Sequence, residues 1–399
     1  MKVVVVSHAS VNEPHRAPYD RLGRVPGVEV HLVAPSHIGL GSAGRKKCDP
    51  APADAAYALH ALPPWFQRSG RFTWYRGLSA VLRRVRPDVV FLEQDPGSLA
   101  VIGSALAAPR ARCVAFSVEN ILRDRWLDAR RALWELKPRE LARDLSVATL
   151  CSLGAVAADG VAAISDEGHL LFRQGLGWSK PLQTVPLGTD VDRFAKRDVS
   201  TRRAELGVSD SFVVGYFGRL VPEKGVHLLV EALALLPRDV RLLLDMFTNF
   251  EPGSYAESLM ERARVLGVRE RIVTFDVPHA AVADYMNLCD VVVLPSLTTE
   301  RWKEQFGRVL PEAMACEVAV IGSRSGNIPD MIGQAGVVVE EDSPPAIAAA
   351  VLELRADPER RRRLGAAGRR RVIERFSIDA QVTQMLSLFD EVLKGSSAH

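Results

Sequence analysis

The chain has 399 residues, 47% hydrophobic and 25% charged, a soluble globular composition whose length, at roughly 100–200 residues per domain, predicts two domains. Lys and Arg number 51 against 48 Asp and Glu, for a net charge of +3, so the basic excess of a nucleic-acid binder is missing and no nucleic-acid partner is expected. The five cysteines, Cys48, Cys113, Cys151, Cys289 and Cys316, are odd in number and never form C-x-x-C, which predicts reduced thiols in a cytoplasmic protein rather than a disulfide framework or a zinc site.

The chain opens MKVVVVSHAS, with an apolar run of four residues, short of the ~7–15 of a signal peptide, and reads as a first strand. No run approaches the ~18–20 apolar residues of a membrane span. Val3–Val6, Val30–Val33, Val89–Leu92 and Cys113–Phe116 follow as buried strands, with helical patterns such as Thr73–Val85 between them. Strands alternating with helices predict a parallel sheet covered on both faces. The stretch from Leu122 to Leu150 mixes Arg123, Arg125, Arg130, Arg131, Arg139 and Arg143 with Trp126, Leu127, Leu133 and Trp134. Such a helix either packs on the sheet with its arginines in water or lies on an anionic membrane.

The polar, turn-rich segment Pro186–Ser211 marks a break. Beyond it Phe212–Phe217, Arg241–Leu244, Ile272–Phe275, Val291–Leu294 and Val318–Ile321 form a second strand series. Pro344–Arg355, Pro358–Arg375 and Ile378–Lys394 read as helices, the last with Ile378, Val382, Leu386, Phe389 and Leu393 along one side. The arginine runs Arg360–Arg363 and Arg369–Arg371, mixed with Glu359, Leu364, Val372 and Glu374, read as a solvated helix face. Expected domains are therefore 1–187 and 188–375, with a terminal helix and tail over 376–399.

Two segments carry chemistry. In Glu304–Cys316, EQFGRVLPEAMAC, a strand and loop lead to a helix beginning at Phe306–Gly307. The backbone N–H groups at such a start suit an anion. Gly307 permits close approach, while Glu312 and Glu304 offer acceptors for ribose and sugar hydroxyls. In Gly215–Gly225, GYFGRLVPEKG, a strand runs into a glycine turn carrying Arg219 and Lys224, two cations able to neutralise a pyrophosphate.

Together these segments resemble the donor site of glycosyltransferase family 4. Supporting motifs are the E-x7-E pattern followed by AMA, the GR…PEKG loop, PLGTDVDRF at Pro186–Phe194 and DVVVLPS at Asp290–Ser296, all in the family's order. The resemblance is strong over roughly Ala163–Phe376 and weak before it. It implies an α/β chain of GT-B type: two Rossmann-like domains facing a cleft, an N-terminal acceptor domain, a C-terminal donor domain, and a last helix crossing back to the N-terminal domain. It also implies a retaining, metal-independent transferase using a nucleoside-diphosphate sugar, UDP- or GDP-linked, and an acceptor glycan, lipid-linked or small molecule. Arg219 and Lys224 match the basic pair on the diphosphate, and Glu304 the glutamate against the donor sugar. Glu312 matches the ribose-binding glutamate, and Phe306, Gly307, Arg308 and Val309 the contacting loop. Gly218 belongs to the glycine turn.

Some positions depart from the pattern. After the first strand, where relatives carry a glycine pair, this chain has SHASVNEPHRAPYDRL, so that His8, His15 and Arg16 are candidates to face ligand. Glu119 and Asn120, after the strand Cys113–Phe116, are further substrate candidates. Asp245-Met-Phe-Thr-Asn and Asp276 replace glycine-rich turns; they motivate an alternative reading as a non-catalytic sugar-nucleotide-binding or scaffolding relative, with an epimerase as a third. Asp190-Val-Asp192 spells D-x-D but falls in the linker motif, where a structural role is expected. No G-x-G-x-x-G follows the first strand and no P-loop occurs. Acceptor selection is expected in residues 7–20, 36–75 and 120–145, with peripheral membrane contact through the N-terminal domain.

Overall fold

A computed structural model describes residues 1–39, 45–65, 70–121, 124–246 and 253–395. The chain forms two compact units, Met1–Pro186 with Ile378–His399, and Leu187–Ser377.

The first unit is built on seven strands: β1 (Lys2–Val6), β2 (Glu29–Pro35), β3 (Tyr57–Leu62), β4 (Val89–Leu92), β5 (Arg112–Ser117), β6 (Gly160–Ala163) and β7 (Leu182–Thr184). Their order is β7-β6-β5-β4-β1-β2-β3, with parallel pairing throughout. Val3, Val4 and Val5 are fully buried, as a central parallel strand covered on both faces requires. Sequence periodicity misses β3, β6 and β7. β3 is half-exposed and reads YALHAL, β6 is GVAA, and β7 has three residues at a sheet edge. None has the β-branched density that marks a strand. The expected helix Thr73–Val85 is split. Trp74–Tyr75 is a short strand, and Gly77 at φ +91° turns the chain into a helix over Leu78–Val85.

The last helix, Ile378–Lys394, belongs to this first unit and contacts its first helix, Ala17–Gly23. Phe389 packs edge-on against Phe91 at 5.7 Å, Arg21 pairs with Asp379, and Gln183 bonds Gln384. Its buried stripe is Gln381, Val382, Met385, Leu388, Phe389 and Val392. The stripe is rotated from the expected one, because the face is set by spacings of three and four together.

The second unit holds β8 (Phe212–Tyr216), β9 (Val240–Asp245), β10 (Ile272–Phe275), β11 (Val291–Leu294), β12 (Ala319–Ser323) and β13 (Val337–Val339). Their order is β10-β9-β8-β11-β12-β13, again all parallel. In both units the order reverses beside the first strand, between β1 and β4 and between β8 and β11. In doubly wound sheets ligands bind beyond the carboxyl ends of the strands at that reversal.

The arginine-rich helix Pro358–Arg371 is only partly a solvated face. Arg369 donates to the carbonyls of Ala315 and Phe194, Arg371 to Met331 and Asp330, and Arg361 to Leu354. Half-buried guanidiniums here satisfy carbonyls at helix and loop ends. Arg362, Arg363 and Arg370 stay exposed.

Candidate donor site

The site is assembled from the loops that leave β8 and β11. After Tyr216 the chain turns at Gly218, whose φ of +124° favours glycine. The buried Tyr216 hydroxyl donates to the Arg219 carbonyl at 2.7 Å and pins the turn. Burial, with Glu304 nearby, pushes that phenol well above its ordinary value, so it remains a donor. One 3-10 turn, Pro222–Lys224, leads to Gly225 at φ +66° and the helix Val226–Ala234. A Cβ at Gly225 would stand 2.0 Å from the Pro295 carbonyl oxygen. Glycine therefore lets the loop after β8 touch the end of β11.

From the β11 side the loop delivers Glu304, 5% exposed. Its Oε2 meets Lys224 Nζ at 2.5 Å and accepts from Ser296 Oγ at 2.8 Å. Its main chain is clamped by Ser325–Asn327. Asn327 N–H donates to the Glu304 carbonyl at 3.0 Å, and Glu304 N–H to Ser325 Oγ at 3.4 Å. Gly326, at φ +49°, comes so close that a Cβ would lie 2.1 Å from the Glu304 carbonyl oxygen. Lys224 Nζ also sits 5.2 Å from the centre of the Trp302 ring, a cation–π contact that holds it in place. An ammonium has three protons to donate, so pairing with Glu304 leaves capacity for a second acceptor.

The helix expected from Phe306–Gly307 to Cys316 is shorter, Val309–Ala315 with Cys316 as its cap. Gly307, at φ +69°, makes a left-handed turn before it, and Leu310 N–H already bonds the Gly307 carbonyl. Phe306 is buried edge-on against Phe376 at 6.2 Å, while Arg308 and Val309 are half-buried. Glu312 lies in the first turn of this helix, 8% exposed. Its Oε1 is 3.8 Å from His279 Nε2, and His279 Nδ1 is 2.9 Å from Arg193 Nη2. Arg193 also donates to the His279 carbonyl, which fixes the ring beside Glu312. Arg219 is exposed, with no side-chain hydrogen bond or ion pair among the described residues. A held ammonium, an exposed guanidinium and two buried carboxylates are what a polyol bearing a diphosphate requires.

Residues 198–371 match the family model described as glycosyl transferases group 1. Over 389 residues the chain is 30% identical to alpha-maltose-1-phosphate synthase of Mycolicibacterium smegmatis, covering 87% of this chain and 92% of that one. The chain belongs to the glycosyl transferases group 1. Over 240 residues it is 35% identical to the GDP-mannose-dependent alpha-(1-6)-phosphatidylinositol monomannoside mannosyltransferase of the same organism. That match covers 58% of this chain and 62% of the relative's length. Its fold is shared by Anabaena HepE, solved in complex with UDP, at a TM-score of 0.71 and 20% identity over 98% of this chain and 100% of that one.

Within this group 1 chain the other sequence candidates have distinct surroundings. Arg16, expected to face ligand, is 1% exposed and donates to the carbonyls of Ser10, Pro50, Val11 and Asp49. These bonds make it a clamp for the loop after β1. His15 is half-buried and its N–H bonds the Asn12 carbonyl. Glu119 pairs with Arg71, which also reaches Asp95 at 3.3 Å. Asn120 is buried and donates to Glu167 at 3.3 Å. Asp190 Oδ1 accepts the N–H groups of Asp192 and Arg193 at 3.1 and 2.9 Å, a turn-forming role for the D-x-D. Asp245 is buried at the end of β9 and Asp276 is exposed. Phe247, Thr248 and Asn249 of the altered loop lie outside the described residues, as do Leu122 and Arg123.

Sequence reasoning overlooked Ser296, Trp302, His279 and Ser325. Ser296 closes the DVVVLPS motif, a signal that could have found it. His279 and Ser325 stand in no motif. They acquire meaning only when the loops after β10 and β12 reach the same end of the sheet.

Proposed function

We propose that this chain is a retaining glycosyltransferase that moves a hexose-like sugar from a nucleoside-diphosphate sugar to an acceptor hydroxyl. The Lys224–Glu304 pair at the strand reversal carries this reading, with Glu312 on the adjoining helix. Arg219 and Lys224 take the diphosphate, and their charge stabilises it as it departs. Glu312 accepts from the ribose hydroxyls, and Glu304, fixed by Ser296 and Lys224, from hydroxyls of the transferred sugar. The two cations supply the positive charge, so turnover is independent of a metal ion. The named donor of the mannosyltransferase relative and the UDP in the HepE complex support a UDP- or GDP-sugar.

The acceptor is a glycan, lipid-linked or a small molecule. No helix among the described residues is long and apolar enough to cross a membrane. The helix Arg125–Trp134 nevertheless does not bury its large apolar residues. Only Ala129 and Ala132 are buried, while Leu127, Leu133 and Trp134 face outward with Arg130 and Arg131. That supports peripheral contact with the inner face of a membrane. The test is nucleoside diphosphate release from UDP- and GDP-sugars by the full chain, with and without EDTA. Release that persists in EDTA is expected. Absence of release from every donor and acceptor combination would contradict turnover, and release abolished by EDTA would contradict metal independence.

A further inference from the structure

The first unit contains a cavity of about 410 Å³, within the usual range of small-molecule sites. Its walls include Trp126, Ala155, Leu171, Phe172, Leu176 and Trp178. Phe172 and Trp178 meet edge-to-face at 6.0 Å, which gives the wall a fixed aromatic corner. Trp126, Ala155 and Leu176 are exposed, so the cavity opens to solvent.

Part of its polar lining is one connected cluster. Arg71 pairs with Asp95 and Glu119 and donates to the Gly97 carbonyl at 3.4 Å, while Ser117 Oγ holds Asp95 at 2.6 Å. Asp95 and Ser117 stand at the carboxyl ends of β4 and β5, the ligand-binding end of the sheet. Arg125 also lines the cavity and pairs with Asp128 at 3.8 Å. The cluster offers donors and acceptors that match neutral hydroxyls.

We propose that this cavity binds an amphiphile whose apolar body, an acyl chain or a ring, lies against the aromatic wall while its hydroxylated head meets Arg71, Asp95 and Glu119. Taking that amphiphile as the acceptor rests on the transferase reading; the ligand's chemistry does not. The experiment is calorimetric titration of the full chain with octyl β-glucoside, kept below its micelle-forming concentration, and with phenyl β-glucoside. Methyl β-glucoside provides the head without the apolar body. Saturable binding of octyl glucoside assigns an acyl chain, and saturable binding of phenyl glucoside assigns a ring. Methyl glucoside should bind at least tenfold more weakly than either. Ala155→Trp, which fills the cavity from an exposed helix position, should weaken binding at least tenfold, as should Leu176→Asp. A cooperative thermal unfolding transition in both variants shows that they are folded. Saturable binding of neither glucoside, or binding undiminished in both variants, would overturn the proposal. Glucoside binding without stabilisation by any nucleotide sugar would support the cavity and sink the transferase reading.

Discussion

The two sheets reverse their strand order at the same topological place but put different chemistry there. Between β1 and β4, Glu93 accepts from the hydroxyls of Ser7 and Tyr19. Nearby Arg16 is turned onto backbone carbonyls. Between β8 and β11, Glu304 is held by an ammonium and a hydroxyl, Lys224 and Ser296. The hydroxyls of Ser7 and Tyr19 bring no positive charge to a ligand. A carboxylate tied by lysine keeps a cation at the same spot, and that cation has protons left to donate. Topology provides the position in both units, and Lys224 beside Glu304 brings a cation to one of them.

The largest effect should follow from breaking the charged pair. Lys224→Met leaves Glu304 buried without its cation and should cost about 3–5 kcal/mol of stability. Loss of leaving-group stabilisation should lower turnover by roughly 10²–10³-fold. Adding Glu304→Gln to that variant should restore much of the stability in denaturant titration and none of the turnover. Recovery of both together would mean that the pair is merely structural.

A smaller contrast compares carboxylates across the two units. Glu312→Ala removes a buried acceptor and should raise the donor KM about 10–100-fold, the equivalent of roughly 1.5–3 kcal/mol for hydrogen bonds to a charged group. Glu93→Gln in the first unit keeps the shape and should change stability by about 1 kcal/mol, with the donor KM unmoved. Steady-state kinetics at saturating acceptor separates the two, and a donor KM that responds equally to both would erase the distinction between the reversal points.

The slightest effect concerns one buried thiol in each unit. Burial pushes Cys113 and Cys316 up to about 12, with Asp159 and Glu312 respectively adding to the rise. In the unfolded chain a thiol ionises near 9, so the stability these groups contribute is complete below pH 9. It is lost as pH rises from 9 towards 12. Denaturant titrations at pH 8, 9 and 10 should show a shallower decline for Cys113→Ala and Cys316→Ala than for the parent. Parallel declines would show that the thiols are not shielded.

The same contrast explains how much the sequence discloses. The nine strands expected from apolar runs all exist, because central parallel strands are buried on both faces and must be apolar throughout. β3, β6, β7 and β13 escape notice because short, edge or small-residue strands need no such run. Lys224 and Glu304 are legible although 80 residues apart, because each stands in its own motif with glycine at a turn. Glu93 is not, since FLEQD after a strand is an ordinary sequence and its partners Ser7 and Tyr19 come from a different loop. The carbonyl contacts of Arg16 are equally illegible, since Asp49 and Pro50 come from a different loop.

The most direct test of a donor site at the β8–β11 reversal is thermal denaturation of the full chain with UDP-, GDP- and dTDP-sugars, alongside Glu312→Ala. The account predicts a concentration-dependent rise in Tm with a UDP- or GDP-sugar, and a much reduced rise in the variant. No stabilisation by any nucleotide sugar, or equal stabilisation of parent and variant, would contradict it.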